Sequence, residues 1–521
     1  MRAVPARAWF PPALLLCLCL GLAGLPLRPA AWLNAHLATD DGFYYLRIAR
    51  NMAAGLGSTC DGFHRTNGYQ PLWLWILVPL AVLVKNPDSL VLAVVLLQAL
   101  LASVTLAWLA TTQMTKDSWR SAVPMLSLAA LPAFWRLGLS GLETSLLLLC
   151  LAWVYLELGR LDTQDKAGPW RLGLALTAAV LARVDSLMPA ALVLCVLAWN
   201  PRRRRTQLPV VCLVLAACLG PYFLWNRFSF GSWLPISGAV KMAYARVQWS
   251  QAAVNGNGLK LRLAYLFWPL RDGKPWILAL PILDAWALVL GWRRRKAPLA
   301  VFGAAMVLKY FVYAALLYNH AEYFWYYAPD VLVAAWLAGE WLERAGTRVA
   351  TAAALGLLLL AALSGVQMLR ARAALDRSGL ADADAPRIDL CAFRDMALLL
   401  NRIPAAPALT VGMHNSGVFG YYFKGRTMDL DGLVSDRQRL AFIRRDGYDF
   451  IPYLRTQPPL DAYTDFITPD QSAFFDRSMP ALGLRAVDVE TPLRAAGLWW
   501  ATPAGAMRLY ARKPLAGLAW R

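Results

Sequence analysis

Long apolar runs alternate with short polar stretches along most of the chain. Runs at 9–28, 89–112, 121–137, 141–160, 170–183, 185–199, 208–226, 275–292, 297–318, 325–343 and 348–368 lie near the roughly 20 residues a bilayer crossing needs and predict about eleven spans. The run at 71–84 is shorter and contains Pro79. If it crosses, Lys116 and Arg120 fall outside and every later basic cluster inverts with them. If it is re-entrant or lies on the surface, the basic stretches 113–120, 160–170, 200–207, 293–297 and 343–348 all face the cytoplasm, as the positive-inside rule requires. The second arrangement is adopted. The first run follows Arg2 and Arg7, as in a signal peptide or an anchor. It is taken as an uncleaved helix with a cytoplasmic N-terminus.

After residue 369 the pattern changes. Short β-like runs (ALTVGM at 408–413, RTMDLDGL at 426–433, LRAVDV at 484–489) alternate with helix-like ones. The expected fold class is an all-α polytopic membrane domain over 1–369, with an outer loop at 31–88, plus a small C-terminal α/β soluble domain over 370–521 on the outer side. Composition agrees, with 59% hydrophobic and 16% charged residues against about a quarter charged in soluble domains. The net charge of +20 is spread over short clusters such as RRRR at 202–205 and RRRK at 293–296. That pattern sets orientation and excludes a nucleic-acid surface.

The same topology gathers the unusual polar clusters on the outer face. They are Asp40–Asp41, HRTNGYQPLW at 64–73, SGLET at 140–144, RVDS at 183–186, the 226–241 stretch and NHAEYFWYY at 319–327. Acids are costly in hydrocarbon, so Asp40 and Asp41 belong at the boundary or in a wet cavity. Cations on the outer face run against the charge rule. Arg183, Arg227, Lys241 and Arg246 suit an anionic group at the lipid boundary, such as a phosphate on a lipid carrier. The alternative readings are plain: Asp40 and Asp41 as a helix N-cap pair ahead of GFYYLRIARN, Glu143 as a cap, Arg183 and Asp185 as a buried pair, Arg227 and Lys241 as solvated charges. Tyr44, Tyr45, Trp325 and Tyr326 can stack on sugar rings or anchor the interface. Arg65, Asn67, Tyr69 and Gln70 can bind hydroxyls or hold a turn at Asn67–Gly68. Asp41, Glu143 and His320 are the candidates for a divalent cation (Mg or Mn), but no cofactor is required. A polytopic transporter or flippase is the rival class. It would be expected to show repeated halves and polar residues at mid-membrane, and no repeat is visible.

ATDDGFYYLRIARN at 38–51, followed by RTNGYQPLW, resembles the first outer loop of the GT-C superfamily of membrane glycosyltransferases, which use polyprenyl-phosphate sugars. SGLET, the Arg-x-Asp of ARVDS, FGSWLP with its downstream lysine, and YFWYYAP look like further landmarks of bacterial mannosyltransferase-like or aminoarabinose-transferase-like members. GYYFKGRTMDLDGLVSD looks like a segment of their C-terminal domain. The family pairs two acids in this loop, often Asp-Glu, where this chain has Asp-Asp. By position the first matches the family's catalytic base, which implies Asp40. The resemblance implies a multi-pass inner-membrane enzyme that moves a sugar, with inversion, from a polyprenyl-phosphate-linked donor to a glycan, lipid or protein acceptor on the outer face. Asp40 and Asp41 are then catalytic, with Arg183, Arg227 and Lys241 on the donor phosphate.

Overall fold

The computed structural model describes residues 38–113, 120–129, 131–161, 167–256, 276–316, 324–353, 388–498, 501–502 and 505–520, with isolated positions between 13 and 33 and between 355 and 366. Most of the expected first span, part of the last one, and the boundary at 369 fall outside these residues.

Among the described residues, the helices Pro87–Thr112, Leu208–Phe230 and Ala297–Leu316 are long and apolar enough to cross a bilayer, and shorter apolar helices accompany them at Pro71–Leu83, Thr144–Gly159, Gly168–Ala182 and Val184–Trp199. The expected count of eleven is therefore not reached on length and composition. One run departs outright from its expected form. The stretch 121–137 is two short helices, Val123–Ala129 and Pro132–Gly138, because the residue before a proline is driven out of the α region. Leu131 is accordingly extended and starts the second piece. Leu213, Leu224, Ile282, Trp286 and Phe311 point outward and exposed, as expected of surfaces that meet lipid rather than water. Inside, the hairpin of Trp276–Arg293 and Ala297–Leu316 packs backbone to backbone. A Cβ on Gly303 would lie 2.4 Å from the Leu288 nitrogen.

The C-terminal region is a mixed six-stranded sheet flanked by helices, as its alternating runs predict. Strands β1 (Thr410–Met413), β2 (Arg426–Asp429), β3 (Ala462–Ile467), β4 (Arg485–Val487), β5 (Ala501–Thr502) and β6 (Gly505–Ala511) lie in the order β2-β1-β3-β6-β4, with β5 on β6. β1 pairs in parallel with β2 and β3, while β6 runs antiparallel to its neighbours. The ends of β1 and β2 carry the loops that meet the membrane module. There the helix Gly417–Tyr422 packs against the helix Asp40–Ala53, and Arg47 and Arg50 reach the carbonyls of Gly425 and Tyr421.

Candidate active site

The polar stretch at 38–51 folds as the helix Asp40–Ala53, with Thr39 as its cap: the Thr39 hydroxyl accepts from the Gly42 N–H at 3.2 Å. Asp40 and Asp41 thus occupy the first turn, where the helix dipole favours acids. Thr39 also binds the Ser140 carbonyl through its amide (3.0 Å) and its hydroxyl (3.1 Å), which ties the SGLET loop to the acids. Gly141 turns that loop at φ +84°, a conformation open to glycine.

Neighbouring residues on a helix point about 100° apart, and the two acids have different fates. Asp41 lines a cavity of about 380 Å³. Asp40 does not line it; it is 7% exposed and turns toward the C-terminal domain. Its Oδ2 accepts from the Gly417 N–H (3.0 Å) and its Oδ1 from the Val418 N–H (2.8 Å), at the start of the helix Gly417–Tyr422. Burial raises the Asp40 carboxyl well above the usual carboxylate range, against the pull of these two donors. The family position expected to hold the base is therefore a carboxyl already occupied on both oxygens, and the acid open to the cavity is its neighbour.

Opposite Asp41 stands Lys241, its Nζ 3.7 Å from Asp41 Oδ2. The same ammonium donates to the Tyr326 hydroxyl at 3.0 Å. The Tyr326 ring lies under the Arg183 guanidinium, 4.2 Å from its centroid. Arg183 pairs with Asp185 at 3.1 Å and lies 3.7 Å from Glu143. Glu143 accepts from the Tyr45 hydroxyl at 2.9 Å, and that hydroxyl in turn accepts from the Gln70 N–H at 2.9 Å. Burial, with Glu143 next to it, raises the Tyr45 phenol well above its ordinary value, so it stays a donor. Gln70 closes the ring by accepting from the Val184 N–H at 3.0 Å. Six segments remote in sequence thus share one wall of hydrogen bonds, ion pairs and a ring contact.

The predicted residues divide cleanly. Asp41, Tyr44, Tyr45, Tyr69, Gln70, Glu143, Arg183, Asp185, Lys241, Trp325 and Tyr326 line the cavity. Arg65 and Arg227 do not: both are exposed, and Arg65 sits over the Phe230 ring at 5.9 Å. Asn226 takes the inward face of its helix and leaves Arg227 outside. Asn67 is buried as a clasp, accepting from the Ile236 N–H at 3.1 Å and bonding Asn226 at 3.2 Å. His320 lies outside the described residues. Asp41 and Glu143 share the cavity, but among the described residues no three His, Cys, Asp or Glu side chains form a metal-holding group.

Sequence reasoning missed the contribution of the C-terminal domain. Leu433 and Val434 line the cavity. The Tyr44 hydroxyl donates to Asp431 Oδ2 (2.6 Å) and lies 3.3 Å from Asp429 Oδ1. Asp429 is fully buried and raised well above its usual range by that burial and by Asp431. The RTMDLDGL segment reads as a β-like run and as part of a stretch resembling the family's C-terminal domain, and nothing in it signals that its acids meet Tyr44.

No protein-family model and no curated protein matches the sequence. Solved structures do match its fold. ArnT from Cupriavidus metallidurans bound to undecaprenyl phosphate is 14% identical, aligns over 97% of this chain and 98% of its own, and has a TM-score of 0.56. The apo form of the same protein aligns over 98% and 99%, with a TM-score of 0.55. The apo oligosaccharyltransferase of Archaeoglobus fulgidus is 13% identical, aligns over 99% of this chain and 76% of its own, and has a TM-score of 0.50. At such identities the likeness is one of fold alone.

Proposed function

We propose that this chain is a membrane glycosyltransferase that takes a sugar from a polyprenyl-phosphate donor and places it on an acceptor at the outer face of the membrane. One observation carries the reading: in a single cavity an accessible carboxylate, Asp41, faces two cations, Lys241 and Arg183, set on the Tyr326 ring. The fold it shares with ArnT, crystallised with undecaprenyl phosphate, supports a lipid phosphate as the donor's carrier.

In this reading Asp41 Oδ takes the proton from the acceptor hydroxyl. The acceptor oxygen then bonds to the anomeric carbon as the bond from that carbon to the phosphate oxygen breaks, with inversion. The phosphate leaves with the electron pair, and Arg183 and Lys241 stabilise its growing charge. Glu143 and Asp185 hold Arg183 in place, and Tyr44, Tyr45, Trp325 and Tyr326 supply surfaces for the sugar. The lipid bilayer is the partner on the donor side. The acceptor is a glycan, lipid or exported protein. Asp41 and Glu143 are the residues that would meet a divalent cation, and the transfer as written does not depend on one.

The test is a transfer assay with labelled undecaprenyl-phosphate sugars and the purified chain in nanodiscs. Asp41→Asn should abolish transfer while Tm stays within about 2 °C of the parent, as for a change that leaves packing intact. Full activity in that variant removes the assignment of the base.

A further inference from the structure

Lys309 lies within the apolar helix Ala297–Leu316 and is only 5% exposed. A charge at such depth is expensive and marks a site with a task. Its Nζ forms an ion pair with Asp330, which is 2% exposed and follows directly on YFWYYAP. The same Nζ donates to the Tyr326 backbone carbonyl at 2.9 Å. Tyr326 is the residue whose ring carries Arg183 and whose hydroxyl meets Lys241. Behind that ring is a void of about 20 Å³, lined by Arg183, Asp185, Lys309 and Tyr326 among others. It has room for one water. One buried ammonium therefore stands behind the residue that seats both cavity cations.

We propose that Lys309, held by Asp330, is a positioning residue for the anion-binding wall. It fixes the Tyr326 backbone so that the ring and hydroxyl register Arg183 and Lys241 on the donor phosphate. The placement of Tyr326 follows from the structure alone; its effect on the donor rests on the transferase reading above. An ion pair that served folding alone would be replaceable by apolar residues, since exchanging a buried pair for hydrophobic groups of like volume is often neutral or stabilising. Such an exchange also removes the donor to the Tyr326 carbonyl, and this separates the two roles.

The experiment compares the full chain with Lys309→Met and with the double variant Lys309→Met/Asp330→Leu, all in nanodiscs. Three readouts are taken: Tm, the ¹⁹F resonance of 3-fluorotyrosine at position 326, and the Kd for undecaprenyl phosphate. Lys309→Met leaves Asp330 buried without its cation and should lower Tm. The double variant should recover only part of that Tm, because Asp284 stays buried beside the pair, yet keep a displaced or broadened Tyr326 resonance and bind the lipid phosphate about tenfold more weakly, the equivalent of one lost charge-assisted hydrogen bond. Recovery of both the parental resonance and the parental Kd in the double variant overturns the proposal and leaves the pair a folding element. A displaced resonance with unchanged Kd overturns the donor half alone. If the parent chain itself does not bind undecaprenyl phosphate, the transferase reading fails, and the resonance still decides what Lys309 does to Tyr326.

Discussion

Two acid-bearing regions face each other across the helix Asp40–Ala53, and they treat their carboxylates in opposite ways. In the loops of the helical module, Asp41, Glu143 and Asp185 answer to cations: Lys241 for the first, Arg183 for the other two. In the loops of the C-terminal domain, Asp429 answers to N–H and O–H groups, accepting from Gly432, Val434 and Ser416 as well as from Tyr44. Asp40 belongs to the first region in sequence and to the second in behaviour. Asp41 and Lys241 line the same cavity, so a ligand there reaches both. Asp40, which accepts from two backbone N–H groups, joins its helix to the helix Gly417–Tyr422.

The sharpest way to break this comparison is to exchange the roles of the adjacent pair. Asp41→Asn should cut transfer by about 10²–10⁴-fold, the usual worth of a positioned base, with little change in Tm. Asp40→Asn should do the reverse: one of its two N–H donors faces an NH₂ group, Tm falls, and the surviving folded fraction transfers. Activity lost in Asp40→Asn at full stability would restore the first acid as the base. Next in size is Gly417→Ala. Its new Cβ would lie 2.1 Å from the Asp40 carbonyl oxygen, so the helix Gly417–Tyr422 must shift. A loss of about 1–3 kcal/mol in chemical unfolding is expected for such overpacking. Tyr44→Phe removes the donor to Asp431 Oδ2 and the acceptor of the buried Ser416 N–H, and should cost about 1–3 kcal/mol for the groups left without that partner.

The smallest effect lies at the edge of the outer loop. His64 Nδ1 pairs with Asp61 at 2.6 Å, and this bond raises the His64 pKa while Asp61 is lowered. A raised folded-state histidine pKa contributes stability that is complete below the unfolded value near 6.5 and fades as pH climbs through the folded value. The difference in Tm between the parent and His64→Ala should therefore be largest below about pH 6.5 and shrink on the alkaline side. A gap that widens with pH would contradict the pairing.

Much of the cavity was legible because one rule, the side on which positive charge collects, was applied before any chemistry was considered. It placed Tyr45, Gln70, Glu143, Arg183, Asp185, Lys241 and Tyr326 on a common face, and these residues do line one cavity. The rule fixes a face but not a rotation. It cannot tell that Asn226 turns inward and Arg227 outward, since one step along a helix swings a side chain by about 100°. Asp40 was beyond reach for another reason. Its partners are two backbone N–H groups, the nearer in sequence 377 positions away, and a backbone donor has no residue-specific signature. Lys309 is the single charge in the apolar run 297–318, and the sequence reading did not pick it out. Its purpose needed the fold, which brings the carbonyl of Tyr326 to it. In the C-terminal domain the β-like runs became strands β1, β2 and β4, because alternation is a local property, whereas the contacts of its loops with Tyr44 are not.

Leu433 and Val434 complete a chamber whose first acid is residue 41. Translation makes that wall almost 400 residues after the acid. Until the segment that carries Leu433 and Val434 has emerged and docked, the wall those residues form is missing and the cavity stays open on that side.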